Sequence, residues 1–123
     1  MSTLQSKAAA LQKRLTDFGS RVIGISSELP QTPQARYLVT QLLRSGTAPA
    51  ANYAEARGAE SLADFIHKLR IVLKELNETE VWLTFILNNS WLSAEKMTPI
   101  VAENRELCCI IAKSIQTAGG FRR

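Results

Sequence analysis

With 123 residues, of which 46% are apolar, the chain can fold as one domain (residues 1–123) around one core, which excludes intrinsic disorder. No apolar run approaches the ~20 residues that cross a bilayer, and "MSTLQSKAAALQKRL" lacks a secretory h-region, so a cytoplasmic protein with no membrane role is expected. The net charge of +4 is unevenly spread: residues 1–46 sum to +4, 47–58 to zero, 59–106 to −3 and 107–123 to +3, a split that suits subunits packing on one another or a basic edge meeting phosphates.

The first helix is read from Leu4, Ala8, Leu11, Leu15, Phe18, Val22, Ile25 and Leu29, whose alternating steps of four and three draw one apolar stripe. Ser2 or Thr3 can cap its start, and Pro30 and Pro33 end it. A second helix starts near Pro33 and uses Ala35, Leu38, Val39, Leu42 and Leu43. It meets "SGTAP" at 45–49, where Gly46 and Pro49 weaken a helix; with Thr47 as an N-cap for a fresh start, the helix is expected to bend near Gly46–Pro49 and end near Gly58.

The third helix carries Leu62, Ile66, Leu69, Leu73, Leu76, Glu80, Leu83 and Leu87 in the same spacing, flanked by Phe65, Val72, Trp82 and Ile86, with Ser61 as cap. The fourth follows Ser93 and uses Met97, Val101, Asn104, Cys108, Ile111, Ile115 and Ala118. Gly119 and Gly120 stop it, and a flexible tail of about 119–123 follows. No strand pattern competes. Short connections make neighbours antiparallel, so the fold class is all-α, an up-down-up-down antiparallel four-helix bundle.

Glu80 and Asn104 interrupt the apolar stripes. Folding the last two helices back near residue 92 sets them opposite each other. The preceding hairpin sets Arg44 level with Glu75, about one turn from Glu80, and Asn52 level with His67, while Gly24 allows close backbone approach at the Glu80 level. Arg44, Glu75 and Glu80 are expected to form one coupled network, because a buried carboxylate needs partners. This is read first as a polar layer fixing register, and second as a pocket for acid–base chemistry. His67 is the only histidine and no Glu-x-x-His pair exists, so no metal and no cofactor are expected. Phosphate-binding, dinucleotide and nucleophile-elbow motifs are missing, so no enzyme is expected. The adjacent Cys108 and Cys109, in "LCCIIA", read as reduced, inert core thiols.

Two surface features point to partners. Lys7, Arg14 and Arg21 recur every seven residues along one edge of the first helix. Lys13 and Arg36 extend that side, and the chain ends in Arg122 and Arg123. This edge is read as a sequence-tolerant contact for RNA or DNA phosphates, against the alternative that it is solvated or pairs with Glu103 and Glu106. The other feature is an apolar surplus, Ile71, Trp82, Phe85, Trp91, Ile100, Leu107 and Ile110, beyond one stripe per helix; part of it must face outward, which favours a homo-oligomer.

"QLLRSGTAPAANYAEA" at 41–56, "DFIHKLRIVLKELNETEVWL" at 64–83 and "RVIGISSELP" at 21–30 resemble the 23S rRNA intervening-sequence protein family of four-helix bundles. The motif positions are Arg44, Ser45, Gly46, Thr47, Asn52, Tyr53, Glu55, Lys68, Lys74, Glu75, Glu80 and Trp82. The fold is also similar to that of the accessory proteins of diversity-generating retroelements, basic pentameric barrels that bind nucleic acid and a reverse transcriptase; this chain is less basic than such a protein. The resemblance implies a bacterial protein, a homopentamer, and no known reaction. The leading expectation is a non-enzymatic oligomeric bundle that binds RNA or DNA through a basic surface. The alternatives are an interaction scaffold without nucleic acid, and a small-ligand pocket around Glu75 and Glu80 to which Arg44, Asn52, Tyr53, Glu55, His67 and Asn104 contribute.

Overall fold

The computed structural model describes residues 3–120, with side chains from residue 5. The capping role of Ser2 or Thr3, the stripe position Leu4, and Arg122 and Arg123 therefore lie outside the described residues. Four helices form: α1 (Thr3–Ser26), α2 (Pro33–Arg57), α3 (Leu62–Asn88) and α4 (Ala94–Thr117). Each packs on its chain neighbours, α4 closes back on α1, and the diagonal pairs do not meet. The result is an up-down four-helix bundle around Leu15, Phe18, Val22, Leu42, Leu69, Leu76, Leu83, Met97, Leu107 and Ile111. The α1–α4 seam is the most thinly contacted.

Side-chain caps and turn geometry set the helix ends. Thr32 accepts from the Ala35 N–H at 3.2 Å, Ser61 from Asp64 at 3.0 Å and Ser93 from Lys96 at 3.1 Å. Pro33 opens α2, where its missing N–H is no loss. At the far end of α4, Gly119 takes φ +89° and the Gly120 N–H reaches the Ile115 carbonyl at 2.8 Å, while Arg70 bonds the Gly120 carbonyl. Gly119 and Gly120 are thus tied to the bundle, and the predicted tail does not begin at 119.

Two predicted ends move. The stripe carried the first helix to Leu29, but α1 stops at Ser26. Pro30 disfavours helix for the residue before it, and the Ser26 and Ser27 hydroxyls bond back to the Val22 and Gly24 carbonyls, both at 2.8 Å. Leu29 is still buried, delivered by the turn. In the second correction, α2 stays α-helical through Gly46 and Pro49, and Thr47 is not a cap: its hydroxyl donates to the Leu43 carbonyl one turn back at 2.6 Å.

Gly46 has a packing role instead. A Cβ there would lie 2.8 and 3.0 Å from the two methyls of buried Val22, and one on Gly19 would lie 3.4 Å from the Gly46 carbonyl oxygen. Gly19 and Gly46 therefore let α1 and α2 approach closely. Gly24, assigned that role from sequence, has nothing within 4 Å of an added Cβ. Gly46→Ala gains helix propensity but drives a methyl into a β-branched side chain with no freedom to turn away. The expected net loss is about 1–3 kcal/mol in a urea titration. Val22→Ala in the same chain should recover part of it, so the double variant loses less than the sum of the singles. A Gly46→Ala chain as stable as the parent would refute the close approach.

Candidate functional site

The polar layer lies where α2 meets α3. Arg44 donates to Glu75 Oε1 at 3.0 Å and to Glu78 Oε1. Glu75 is 8% exposed, so the buried carboxylate is this one rather than Glu80. Beside it Thr79 Oγ1 lies 2.8 Å from both Ser45 Oγ and the Glu75 carbonyl oxygen, with Ser45 and Thr79 fully buried. Each hydroxyl has one proton, so Thr79 donates to the carbonyl and accepts from Ser45.

Glu80 belongs to a different cluster. It takes Asn104 Nδ2 at 3.3 Å and Arg105 at 2.8 Å, and Asn104, fully buried, also donates to the Leu76 carbonyl at 3.1 Å. The predicted Glu80–Asn104 juxtaposition forms; the single Arg44–Glu75–Glu80 network does not. Five residues turn a helix by about 140° beyond a full circle, so Glu75 faces α2 when Glu80 faces α4. Sequence reasoning gave Glu78 and Thr79 no place in this layer and named Ser45 only as a position of the resembling motif. Thr79 completes a seven-residue repeat with Val72 and Ile86, and Ser45 continues Leu38 and Leu42, so both were legible as core positions.

The remaining pocket candidates scatter. Asn52 donates to the Ala48 carbonyl of its own helix at 3.0 Å, and exposed His67 makes no side-chain hydrogen bond among the described residues, so their pairing is not formed. Tyr53 is buried in the core, which pushes its hydroxyl pKa up. Glu55 binds Lys68 on α3 at 2.8 Å, and that hydrogen bond raises the lysine's pKa. Among the described residues no three His, Cys, Asp or Glu side chains group to hold a metal, and no helix is long and apolar enough to cross a membrane. The cysteines differ from one another. Cys108 is half-buried, 3.6 Å from Asn77 Oδ1, and its thiol is pushed up to about 11 by burial, then by Glu80 and Cys109. Cys109 is exposed, so it is not a core thiol.

The basic edge is partly spent inside the molecule. Arg14 holds Glu103 through two bonds of 2.8 Å and Glu106 through one of 2.8 Å, across the α1–α4 seam. Lys13 pairs with Asp17 at 2.7 Å, and Arg36 donates to the Gln31 carbonyl at 2.7 Å. Lys7 and Arg21 are exposed. Arg14 is therefore not one of three free cations, and the alternative partners Glu103 and Glu106 are its partners.

Two further clusters concern the apolar surplus. Ile100 and Leu107 are core residues, whereas Trp82 is half-buried and stacks on Phe85 with ring centroids 6.0 Å apart. Phe85 is 45% exposed, Val81 50% and Tyr37 62%. Tyr37 precedes Arg44 by seven residues and Phe85 follows Glu78 by seven, so on antiparallel helices Tyr37 and Phe85 repeat the Arg44–Glu78 relation about 10 Å further along. Trp82 and Phe85 on α3, with exposed Tyr37 level with Phe85 on α2, mark an aromatic ridge at the α2–α3 edge. Leu62, expected in the stripe, is 63% exposed in the first turn of α3.

The seam pair has a pH signature. The hydrogen bond from Arg14 holds the Glu103 carboxyl below its usual value, with Arg21 adding to the effect. A depressed carboxylate contributes stability that is present above the unfolded value of about 4.3 and lost as pH falls through the lower folded one. Arg14→Met should cost about 1 kcal/mol near neutral pH, a figure reduced because the arginine is partly solvated. That difference should shrink towards zero in urea titrations below about pH 3. A pH-independent difference would assign the loss to packing of the arginine stem.

Residues 7–113 match the family model described as 23S rRNA-intervening sequence protein. A solved structure from Bacteroides thetaiotaomicron, described as a protein of unknown function from the S23 ribosomal protein family, is similar at 33% identity and a TM-score of 0.83, covering 89% of this chain and 98% of that one. Comparison with curated proteins gives no match. With 107 of 123 residues matched in one span and a bundle of the same shape, the chain belongs to the 23S rRNA-intervening sequence protein family.

Proposed function

We propose that the protein is a non-enzymatic bundle that works as an assembly of identical subunits, a closed ring of five as the family resemblance implies. The observation that carries this is the aromatic ridge: Tyr37, Val81 and Phe85 stand exposed around Trp82 on one edge of the bundle. Exposed aromatic side chains gathered at one edge, beside an arginine, have the composition of an interface core. The carboxylates that could have served acid–base chemistry are held by Arg14, Arg44 and Arg105, which supports a structural use for them. Light scattering at micromolar concentration should give a mass several times 13.6 kDa, five times for the ring. A mass of one subunit would overturn the reading.

A second reading, contact with RNA or DNA phosphates, is favoured by exposed Lys7 and Arg21 on one edge of α1. Arg14 does not add to them, because it is committed to Glu103 and Glu106. Repetition around a ring would make several weak contacts act together. Replacing both by Glu should lower affinity for structured RNA and flatten its dependence on salt, by filter binding at low and moderate salt. Unchanged affinity and slope would remove this edge from the contact.

A further inference from the structure

Resting on the phosphate-contact reading above, we propose that a backbone phosphate of RNA or DNA is held between Lys7 of α1 and Lys113 of α4, at the end of the bundle where α1 begins and α4 stops. Arg14 and Glu106 supply the geometry, since they pair across the α1–α4 seam at 2.8 Å. Lys7 precedes Arg14 by seven residues and Lys113 follows Glu106 by seven. On antiparallel helices the two lysines therefore repeat that relation about 10 Å further along. Where one register sets a guanidinium against a carboxylate, the next sets ammonium against ammonium.

Among the described residues nothing nearby neutralises the pair. Lys7 and Lys113 are exposed, and neither makes a side-chain hydrogen bond there. Residues 1–16 and 107–123 contain no acidic side chain. The acids of the other two helices at this end lie elsewhere. Glu55 bonds Lys68 at 2.8 Å, Asp64 adds to the raised pKa of the same lysine, and Glu60 is in the turn joining α2 and α3, so all three belong to the α2–α3 edge. That edge is opposite the α1–α4 seam, because the diagonal helices do not meet.

Two ammonium groups left face to face repel at low ionic strength, and an anion placed between them converts the repulsion into two attractions. Lysine serves phosphate as a point charge and makes no demand on the order of bases. Residues 1–17 and 107–120 contain no aromatic side chain on which a base could stack. The large apolar side chains exposed among the described residues, Ile23, Tyr37, Leu62, Val81 and Phe85, all lie outside these two stretches, so none beside the pair would enter a lipid layer. A nucleic-acid backbone therefore fits the site better than a stacked base or a membrane surface, and the contact is blind to sequence.

Filter binding of structured RNA and of duplex DNA, at low and moderate salt, tests the pair. Lys113→Gln should weaken binding severalfold and lower the salt slope by about one. Lys7→Gln should do the same from the other helix. Lys74→Gln, which removes the same charge from an exposed position on α3, should leave both unchanged. Lys113→Glu should weaken binding further while raising the urea midpoint of the free protein at low salt, because Lys7 then faces a carboxylate. A gain in stability with a loss of affinity is what repelling groups kept for a ligand would show. Wild type that binds neither nucleic acid at low salt would end the phosphate-contact reading and this one with it. Wild type that binds, with Lys113→Gln unchanged or Lys74→Gln equally weakened, would leave that reading standing and overturn the lysine pair. A urea midpoint not raised by Lys113→Glu would overturn the pair as well, since the two lysines would then not face each other. Tighter binding to phosphatidylglycerol vesicles than to either nucleic acid would assign the pair to a lipid surface instead.

Discussion

The register of α2 on α3 is set by a hydroxyl pair in the core. Ser45 and Thr79 are fully buried and satisfy each other, with the Glu75 carbonyl taking the remaining proton. Sliding the helices by one turn would leave the Ser45 hydroxyl without its acceptor among Leu42, Leu76 and Leu83, at about 1–3 kcal/mol, while Thr79 keeps the Glu75 carbonyl of its own helix. Apolar side chains alone tolerate such slips, since hydrophobic burial is non-directional. The rest of the α2–α3 edge follows from that register. Arg44 meets Glu75 and Glu78, Lys68 meets Glu55, and Tyr37 comes level with Phe85.

Once the helices are in register, the fold consumes most of the polar chemistry the chain carries. Arg14, Arg44 and Arg105 each hold a carboxylate on another helix, and the Asn104 amide nitrogen is shared between the Leu76 carbonyl and Glu80 while its Oδ1 is buried without a partner among the described residues. Many of these pairs are partly solvated, so their energies are small individually. Their effect is on specificity: each links one pair of helices at one height. The surface also keeps large apolar side chains exposed, among them Tyr37, Val81 and Phe85, and these direct the functional reading towards association.

The helices and two of their caps, Ser61 and Ser93, were legible because four-three spacing and Ser/Thr caps report local geometry. The facing of Glu80 and Asn104 was also legible, from hairpin arithmetic alone. The fresh start at Thr47 was misread because a glycine that permits close approach looks like one that interrupts a helix; only Val22 across the interface distinguishes them. The choice of Glu80 over Glu75 as the buried acid failed for a rotational reason. A stripe drawn with Glu80 in line gives one face, while α3 buries toward two neighbours and its core runs through Leu69, Val72, Leu76, Thr79, Leu83 and Ile86. Tyr37 had no signal of its own, and acquires one only through its seven-residue distance from Arg44.

The two open sides of the bundle differ in what holds them. The α2–α3 side is fixed by buried hydroxyls, a nearly buried carboxylate and a long run of contacts, and it carries bulky exposed rings. The α1–α4 side is thinly contacted and bridged at its edge by Arg14 with Glu103 and Glu106 and by Lys96 with Glu28. Gly24 and Pro99 widen it further, because neither fills the space between the helices. A bundle that served only as a stable monomer would gain by closing that seam with larger apolar residues, since each buried methylene contributes about 0.8 kcal/mol. The hollow at Gly24 and Pro99 therefore leaves the single subunit without stability that larger apolar side chains on this seam would supply.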